Sequence, residues 1–66
     1  MIDTNGLVGI IYSRGLSQAK VANKLGITPK TFYDKMKNGV FGSDEIEVMI
    51  EELHIEDPTA IFFARK

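Results

Sequence analysis

The stretch that most constrains the fold is residues 17–37, SQAKVANKLGITPKTFYDKMK, which has the pattern of two short helices joined by a tight turn. Ser17 and Thr28 each stand where a hydroxyl can accept from a free N–H of a helix's first turn, and Pro29 suits a first helical position. Gly26 lies between them, where a helix end needs a residue that tolerates positive φ. Apolar residues recur on one face of each segment, and these are Val21, Ala22, Leu25, Phe32 and Met36. The stretch therefore predicts a helix-turn-helix.

The same residues also carry a resemblance to a protein family. The chain resembles the lambda-repressor-like, Cro-like helix-turn-helix regulators of phages and bacteria. The residues that match the family pattern are Ser17, Gln18, Val21, Ala22, Leu25, Gly26, Ile27, Thr28, Thr31 and Phe32. The resemblance implies an all-α domain of five helices over residues 1–66, with the helix-turn-helix at its second and third helices. A helical hairpin in a small bundle without DNA binding is the alternative interpretation.

The sequence before the motif predicts a first helix from about Asn5 to Arg14, capped by Asp3 or Thr4. Its apolar residues share one face, and they are Leu7, Ile10 and Ile11. Gly9 is predicted to be a place where another helix approaches closely.

The sequence after the motif predicts two more helices. Ser43 is expected to cap the fourth helix, and Asp57 with Pro58 to open a short fifth helix over residues 59–64, for which an edge strand is the alternative. The predicted core consists of Val21, Ala22, Leu25, Ile27, Phe32, Met36, Ile46, Met49, Ile50 and Leu53.

Charge is distributed unevenly along the chain. The formal net charge is −1, but residues 1–42 carry +4 and residues 43–66 carry −5. Because local potential rather than net charge steers a polyanion, the basic half is compatible with binding to nucleic acid. This half contains the helix-turn-helix.

In helix-turn-helix proteins the second helix of the motif enters the major groove with its N-terminal residues near the bases. Lys30 can donate to guanine or phosphate and Asp34 can accept from cytosine, while the resemblance places Gln18 over a phosphate. Two features depart from the family pattern: Pro29 replaces a polar base-reading residue of many relatives, and the inward Phe32 and Met36 are four residues apart rather than three. The predicted DNA-binding residues are Ser17, Gln18, Thr28, Pro29, Lys30, Thr31, Tyr33, Asp34, Lys35 and Lys37.

Three of the four phenylalanines lie in the C-terminal half of the chain. Phe41, Ile61, Phe62 and Phe63 are predicted to form the contact surface of a weak homodimer, because a small core does not readily absorb so much apolar area. Two alternatives stay open. For Phe41 a place in the core is the leading interpretation and the dimer contact is its alternative. The last helix can also fold back and bury Ile61 and Phe62, leaving only Phe63 outside.

Composition argues against several functional classes. The chain has no Cys and a single His, His54, so we expect neither a metal site nor a cofactor. No carboxylate pair or phosphate-binding glycine loop indicates an enzyme, and no small-molecule ligand is expected. No apolar run or leader indicates a membrane, so a cytoplasmic protein is expected.

The function expected from these patterns is a sequence-specific transcriptional regulator that binds double-stranded operator DNA, as a small phage or prophage repressor or Cro-like protein does. The alternative is a protein-interaction module, an antirepressor or co-repressor that keeps the fold but binds another phage regulator. The acidic fourth helix and the apolar C-terminal end would suit that second function.

Overall fold

Five helices make up the regular structure of residues 2–63, the part of the chain that the computed structural model describes. They are α1 (Thr4–Ser13), α2 (Gln18–Leu25), α3 (Pro29–Asn38), α4 (Ser43–Glu52) and α5 (Pro58–Phe62). The predicted all-α architecture is thereby confirmed for this range, and the edge strand considered for the last segment is not present in it. Ala64, the last residue of the predicted fifth helix, lies outside the described residues, as do Arg65 and Lys66.

Four of the five helices begin at a side chain that accepts a hydrogen bond from the first turn. The acceptors are Asp3 for α1, Ser17 for α2, Thr28 for α3 and Asp57 for α5. The exception is α4, where the predicted cap was wrong: Gly42 is the N-cap and Ser43 is the first helical residue. There, Glu45 Oε1 accepts from the Gly42 N–H at 2.8 Å, so one free donor of the helix start is still satisfied.

The helix ends repeat one geometry. At the end of α2, Gly26 has a φ of 75° and donates to Asn23 O, while Ile27 donates to Ala22 O. This is the Schellman pattern, which requires a left-handed residue. The end of α4 has the same hydrogen bonds but places His54, with a φ of 50°, where a glycine would be unstrained.

The core lies where α2 packs against α3 and α4 and where α1 packs against α2 and α5. Of the ten residues predicted to form it, six are buried: Val21, Ala22, Phe32, Met36, Met49 and Leu53. The other four, Leu25, Ile27, Ile46 and Ile50, are only half-buried around its edge. Five further residues complete the core, and these are Leu7, Ile11, Phe41, Ile55 and Phe62.

The start of α1 lies against α5. The Asp3 N–H donates to Ile61 O at 2.7 Å, and a Cβ added to Gly6 would lie 3.2 Å from Ile61 Cδ1. The prediction of a close approach at Gly9 is wrong, because nothing lies within 4 Å of a Cβ built there. The crowded position is Gly6 instead. Because these contacts join the two ends of the described chain, α5 is held on the body of the fold.

None of the helices in residues 2–63 combines the length and the apolar character needed to cross a membrane.

Candidate nucleic-acid interface

The packing of α2 against α3 fixes which face of α3 points outward. Ala22 on α2 and Phe32 on α3 have no exposed surface, and Met36, one turn after Phe32, is also buried. Ala22 is predicted to lie where α2 and α3 approach most closely, and its complete burial is compatible with that prediction. Since residues 32 and 36 face inward, the opposite face of α3 is presented to solvent.

That outer face of α3 carries residues of the predicted DNA-binding set. Lys30, Thr31, Asp34 and Lys37 are all exposed, and Tyr33 at its edge is 49% exposed. Lys30, Asp34 and Lys37 follow one another at spacings of four and three, so they form one stripe along the helix. We call these three residues the α3 stripe. Neither Lys30 nor Lys37 makes an ion pair with another residue of the described range.

The start of α3 is held by a pair of threonines. Thr28 Oγ1 accepts from the Thr31 N–H at 3.2 Å and also lies 2.9 Å from Thr31 Oγ1, to which it donates. Pro29 occupies the first helical turn and is exposed. Thr28 thus positions the N-terminal turn of α3, and Thr31 is partly engaged by its neighbour but keeps its own hydroxyl proton for an outside acceptor.

The N-terminal end of α2 is the second part of the predicted interface. Ser17 Oγ accepts from the Lys20 N–H at 3.2 Å, which makes Ser17 the cap of this helix. Ser17 and Gln18 are half-buried and Lys20 is exposed. Helix N-termini attract anions through their free N–H groups and the helix dipole, and a phosphate contact at this end stays a prediction.

Lys35 differs from the other basic residues of α3. Its Nζ lies 3.0 Å from Glu45 Oε1, with 33% of the Lys35 side chain and 17% of the Glu45 side chain exposed. The sequence predicted Lys35 as a phosphate contact, but in this structure its ammonium is paired with a carboxylate of α4 instead. The reason is a contact between residues ten positions apart, which helical spacing along α3 does not reveal.

Glu45 is a charged acceptor at the junction of α3 and α4. Its partial burial raises the pKa of this carboxyl, but the Gly42 N–H and the Lys35 ammonium favour the charged form, and the net effect is a pKa below the usual value. Glu45 therefore stays ionised near neutral pH and keeps its attraction for Lys35.

Two other basic side chains are also engaged within the fold. Arg14 donates from Nε to Leu53 O at 2.7 Å and from Nη2 to His54 O at 3.2 Å, so a cation from the end of α1 satisfies carbonyls at the end of α4. Lys24 Nζ lies 3.4 Å from Glu52 Oε1. Sequence reasoning missed the role of Arg14, because the two ends lie 39 residues apart and no local pattern joins them.

The residues predicted to form a dimer surface do not all reach the surface. Phe41 is buried with its ring centroid 5.5 Å from that of Phe32, and Phe62 is 2% exposed. Phe41 therefore fills the core, and its predicted dimer contact is wrong. The prediction that Phe62 is available for a partner is also wrong, because the core absorbs both rings. Ile61 is half-buried and Phe63 is 61% exposed. This arrangement agrees with the alternative in which α5 folds back onto the domain and leaves Phe63 outside.

The described part of the chain holds no group of three or more His, Asp or Glu side chains arranged to bind a metal ion. An open depression of about 410 Å³ lies between the end of α1 and α5, lined by Ile10, Arg14, Ile55, Glu56, Asp57, Ala60 and Ile61.

Comparisons of the chain with models of known protein families, with curated proteins and with solved structures gave no match.

Proposed function

We propose that this protein is a sequence-specific DNA-binding regulator with a lambda-repressor-like fold, of the kind found in small phage repressors and Cro-like proteins, and that α3 enters the major groove. The observation that carries the proposal is the division of α3 into two faces. Phe32 and Met36 are buried against the rest of the fold, whereas the α3 stripe is exposed. A helix whose one face packs on the protein core and whose other face is polar and exposed has the shape and chemistry that fit the major groove.

The side chains on the outer face of α3 suit different parts of a duplex. Lys30 lies in the first turn and can donate to guanine O6 and N7, and Asp34 can accept from the cytosine amino group. Thr31 can donate to a backbone oxygen or contact a thymine methyl group. Lys37 lies in the last turn of α3, where it suits a phosphate better than a base, because the N-terminal end of the helix is the one that reaches the base edges.

The number of free cations sets the expected salt dependence. Within residues 2–63, Arg14, Lys24 and Lys35 are engaged by groups of the fold itself, and the exposed lysines without an ion pair in this range are Lys20, Lys30 and Lys37. If all three approached phosphates, the logarithm of the affinity would fall with the logarithm of salt concentration with a slope of about −2.7 per chain, at about 0.9 per phosphate. This value is small for a specific regulator, which favours binding by more than one copy.

We therefore include a weak homodimer in the proposal. One helix-turn-helix contacts only a few base pairs, and a two-fold dimer doubles the site. Phe63 is the large apolar side chain of the C-terminal segment that stays exposed, so it is the residue through which this segment would meet a second copy. Sedimentation of the parent from micromolar to millimolar concentration, with Phe63→Ser as the variant, tests this: we expect association in the parent and loss of it in the variant. A protein that stays monomeric at millimolar concentration and binds a site without two-fold symmetry would refute the dimer.

The test of DNA binding begins with selection of bound duplexes from a random library, followed by mobility shift with the selected duplex and with a scrambled duplex. We expect enrichment of one sequence and tighter binding to it. Lys30→Ala should weaken binding to the selected duplex by about 1–3 kcal/mol if Lys30 contacts guanine bidentately, and should relax preference at that base pair. Lys37→Ala should weaken both duplexes alike and reduce the salt slope by about one.

Lys24→Ala is the matched control, because it removes the same charge from a lysine that is already paired with Glu52. It should change binding much less than Lys37→Ala does. If no sequence is enriched, and if Lys30→Ala and Lys37→Ala bind both duplexes as the parent does, the proposed function is refuted.

A second candidate function rests on exposed residues outside α3. Glu47 and Glu51 on α4 are exposed, and Phe63 adds an exposed aromatic ring at the end of the chain. Exposed carboxylates and an exposed aromatic ring are surface features that suit a basic protein partner, such as another phage regulator. Under this alternative, substitutions in the α3 stripe would leave partner binding unchanged, whereas Glu47→Lys with Glu51→Lys would abolish it.

A further inference from the structure

One lysine of α3 has two possible partners. Lys35 follows Thr31 by one helical turn, so it lies on the flank of the outer face, between the α3 stripe and the body of the fold. From this position its flexible side chain can turn outward, toward the phosphates of a bound duplex, or back toward α4. In the structure it turns back, with Nζ 3.0 Å from Glu45 Oε1.

The partner on α4 is itself held in place. The same oxygen of Glu45 accepts from the Gly42 N–H at 2.8 Å, so the carboxylate is fixed at the start of α4 and is not free to follow Lys35 outward. The pair is also more enclosed than the other ion pair of the described residues, Lys24 with Glu52, whose atoms are 3.4 Å apart and whose side chains are 37% and 45% exposed. Because the Lys35–Glu45 pair is shorter and less hydrated, an external anion replaces its carboxylate less easily than it would replace that of Lys24–Glu52.

We infer that Glu45 keeps Lys35 from contacting DNA phosphates, so that the protein binds non-specific DNA with one cationic contact fewer than the sequence of α3 offers. This inference rests on the proposed function. Its physical basis is competition: a phosphate must replace a carboxylate that is already in contact and anchored by a backbone N–H. Non-specific affinity comes almost entirely from such phosphate contacts, so withholding one of them favours discrimination between the operator and other DNA.

The test uses a random-sequence duplex and compares salt slopes. Glu45→Gln removes the charge but keeps an amide oxygen that can still accept from the Gly42 N–H. If Lys35 is then released to a phosphate, the slope should steepen by about 0.9. Over a fourfold rise in salt, the variant should therefore lose about 3.5-fold more affinity than the parent does. Lys35→Ala should bind this duplex with the slope of the parent, in contrast to Lys37→Ala.

Two further variants separate this effect from a simple change of net charge. Glu47→Gln makes the same charge change on the same helix at an exposed residue, and it should leave the slope of the parent nearly unchanged. Glu45→Gln combined with Lys35→Ala should return to the slope of Lys35→Ala alone, because the released cation is then missing. Circular dichroism of each variant establishes that it is folded, and Lys35→Ala in the parent provides the test if Glu45→Gln does not fold.

The outcomes are distinct. A steeper slope for Glu45→Gln that Lys35→Ala abolishes supports the inference, as does a parent-like slope for Lys35→Ala. If Lys35→Ala flattens the slope of the parent by about one, Lys35 already contacts DNA and the inference is wrong. Equal effects of Glu45→Gln and Glu47→Gln would also overturn it, and in both cases the proposed function would stand. A parent that binds no duplex at any ionic strength would overturn the proposed function, and this inference with it.

Discussion

The contact between α2 and α3 can be tested by enlarging Ala22. Ala22 has no exposed surface, and α2 packs against α1, α3 and α4. We predict that Ala22 lies at the contact with α3. Ala22→Leu adds three carbon atoms where no space is left, so either Phe32 must leave its rotamer or α3 must move outward. Overpacking of this kind costs about 1–3 kcal/mol.

The size of that loss is large for this chain. A domain of 66 residues has a free energy of unfolding of about 3–10 kcal/mol at roughly 0.05–0.15 kcal/mol per residue. A change of 1 kcal/mol shifts the melting temperature of so small a domain by about 4–8 °C. We therefore expect Ala22→Leu to lower the melting temperature by at least about 4 °C and to lower the urea midpoint.

The control is the same substitution on the same helix. Ala19 lies one turn earlier in α2 and is exposed, so Ala19→Leu makes the identical chemical change without crowding the α2–α3 contact. Helix propensities of alanine and leucine are close, and we expect a shift of only a few tenths of a kcal/mol. Melting followed by circular dichroism gives both values. If the melting temperature of Ala22→Leu equals that of Ala19→Leu, the tight contact between α2 and α3 that orients α3 does not exist.

Three further changes test other contacts. Arg14→Ala should destabilise the protein by about 1–2 kcal/mol, because it removes a cation hydrogen-bonded to Leu53 O and His54 O at the end of α4; an unchanged urea midpoint would contradict this. His54→Gly should raise stability by about 0.5 kcal/mol, since relief of the left-handed backbone slightly exceeds the added entropy of the unfolded chain, and a lower melting temperature would refute it. The pKa of Glu45 is lowered in the folded state, so its contribution to stability is complete above the usual value of about 4.5 and is lost as pH falls through the lowered folded pKa. The difference in melting temperature between the parent and Glu45→Gln should therefore shrink on acidification from about pH 6 to about pH 2.5, and a difference that stays constant would count against the Glu45 contacts.

The helix starts and the turn of the motif could be predicted because their causes are local. Ser17, Thr28 and Asp57 each act on an N–H three residues away, and Gly26 acts through its own backbone. Such features need no knowledge of the rest of the fold. Even so, the start of α4 was misplaced by one residue, because Glu45 satisfies the Gly42 N–H and no hydroxyl cap is used.

The contacts that the sequence did not reveal join residues far apart along the chain. Arg14 reaches the end of α4, and Lys35, which is predicted from the sequence to bind DNA, pairs with Glu45. Contacts between distant parts of the chain also explain why the rings of Phe41 and Phe62 are buried. Whether Phe41 and Phe62 face the core depends on where the loop after α3 and the fold-back of α5 place them, and the periodicity of short segments does not determine this.

Backbone amide shifts of labelled protein titrated with the selected duplex would identify the face of the protein that meets DNA. We predict that the largest shift changes fall on residues 28–37 and on residues 17–20 at the start of α2, with α5 nearly unaffected. The same titration in high salt should weaken all of these changes together. Changes centred on α4, or no changes at all under conditions where the protein is folded, would contradict the claim that α3 is the DNA-binding helix.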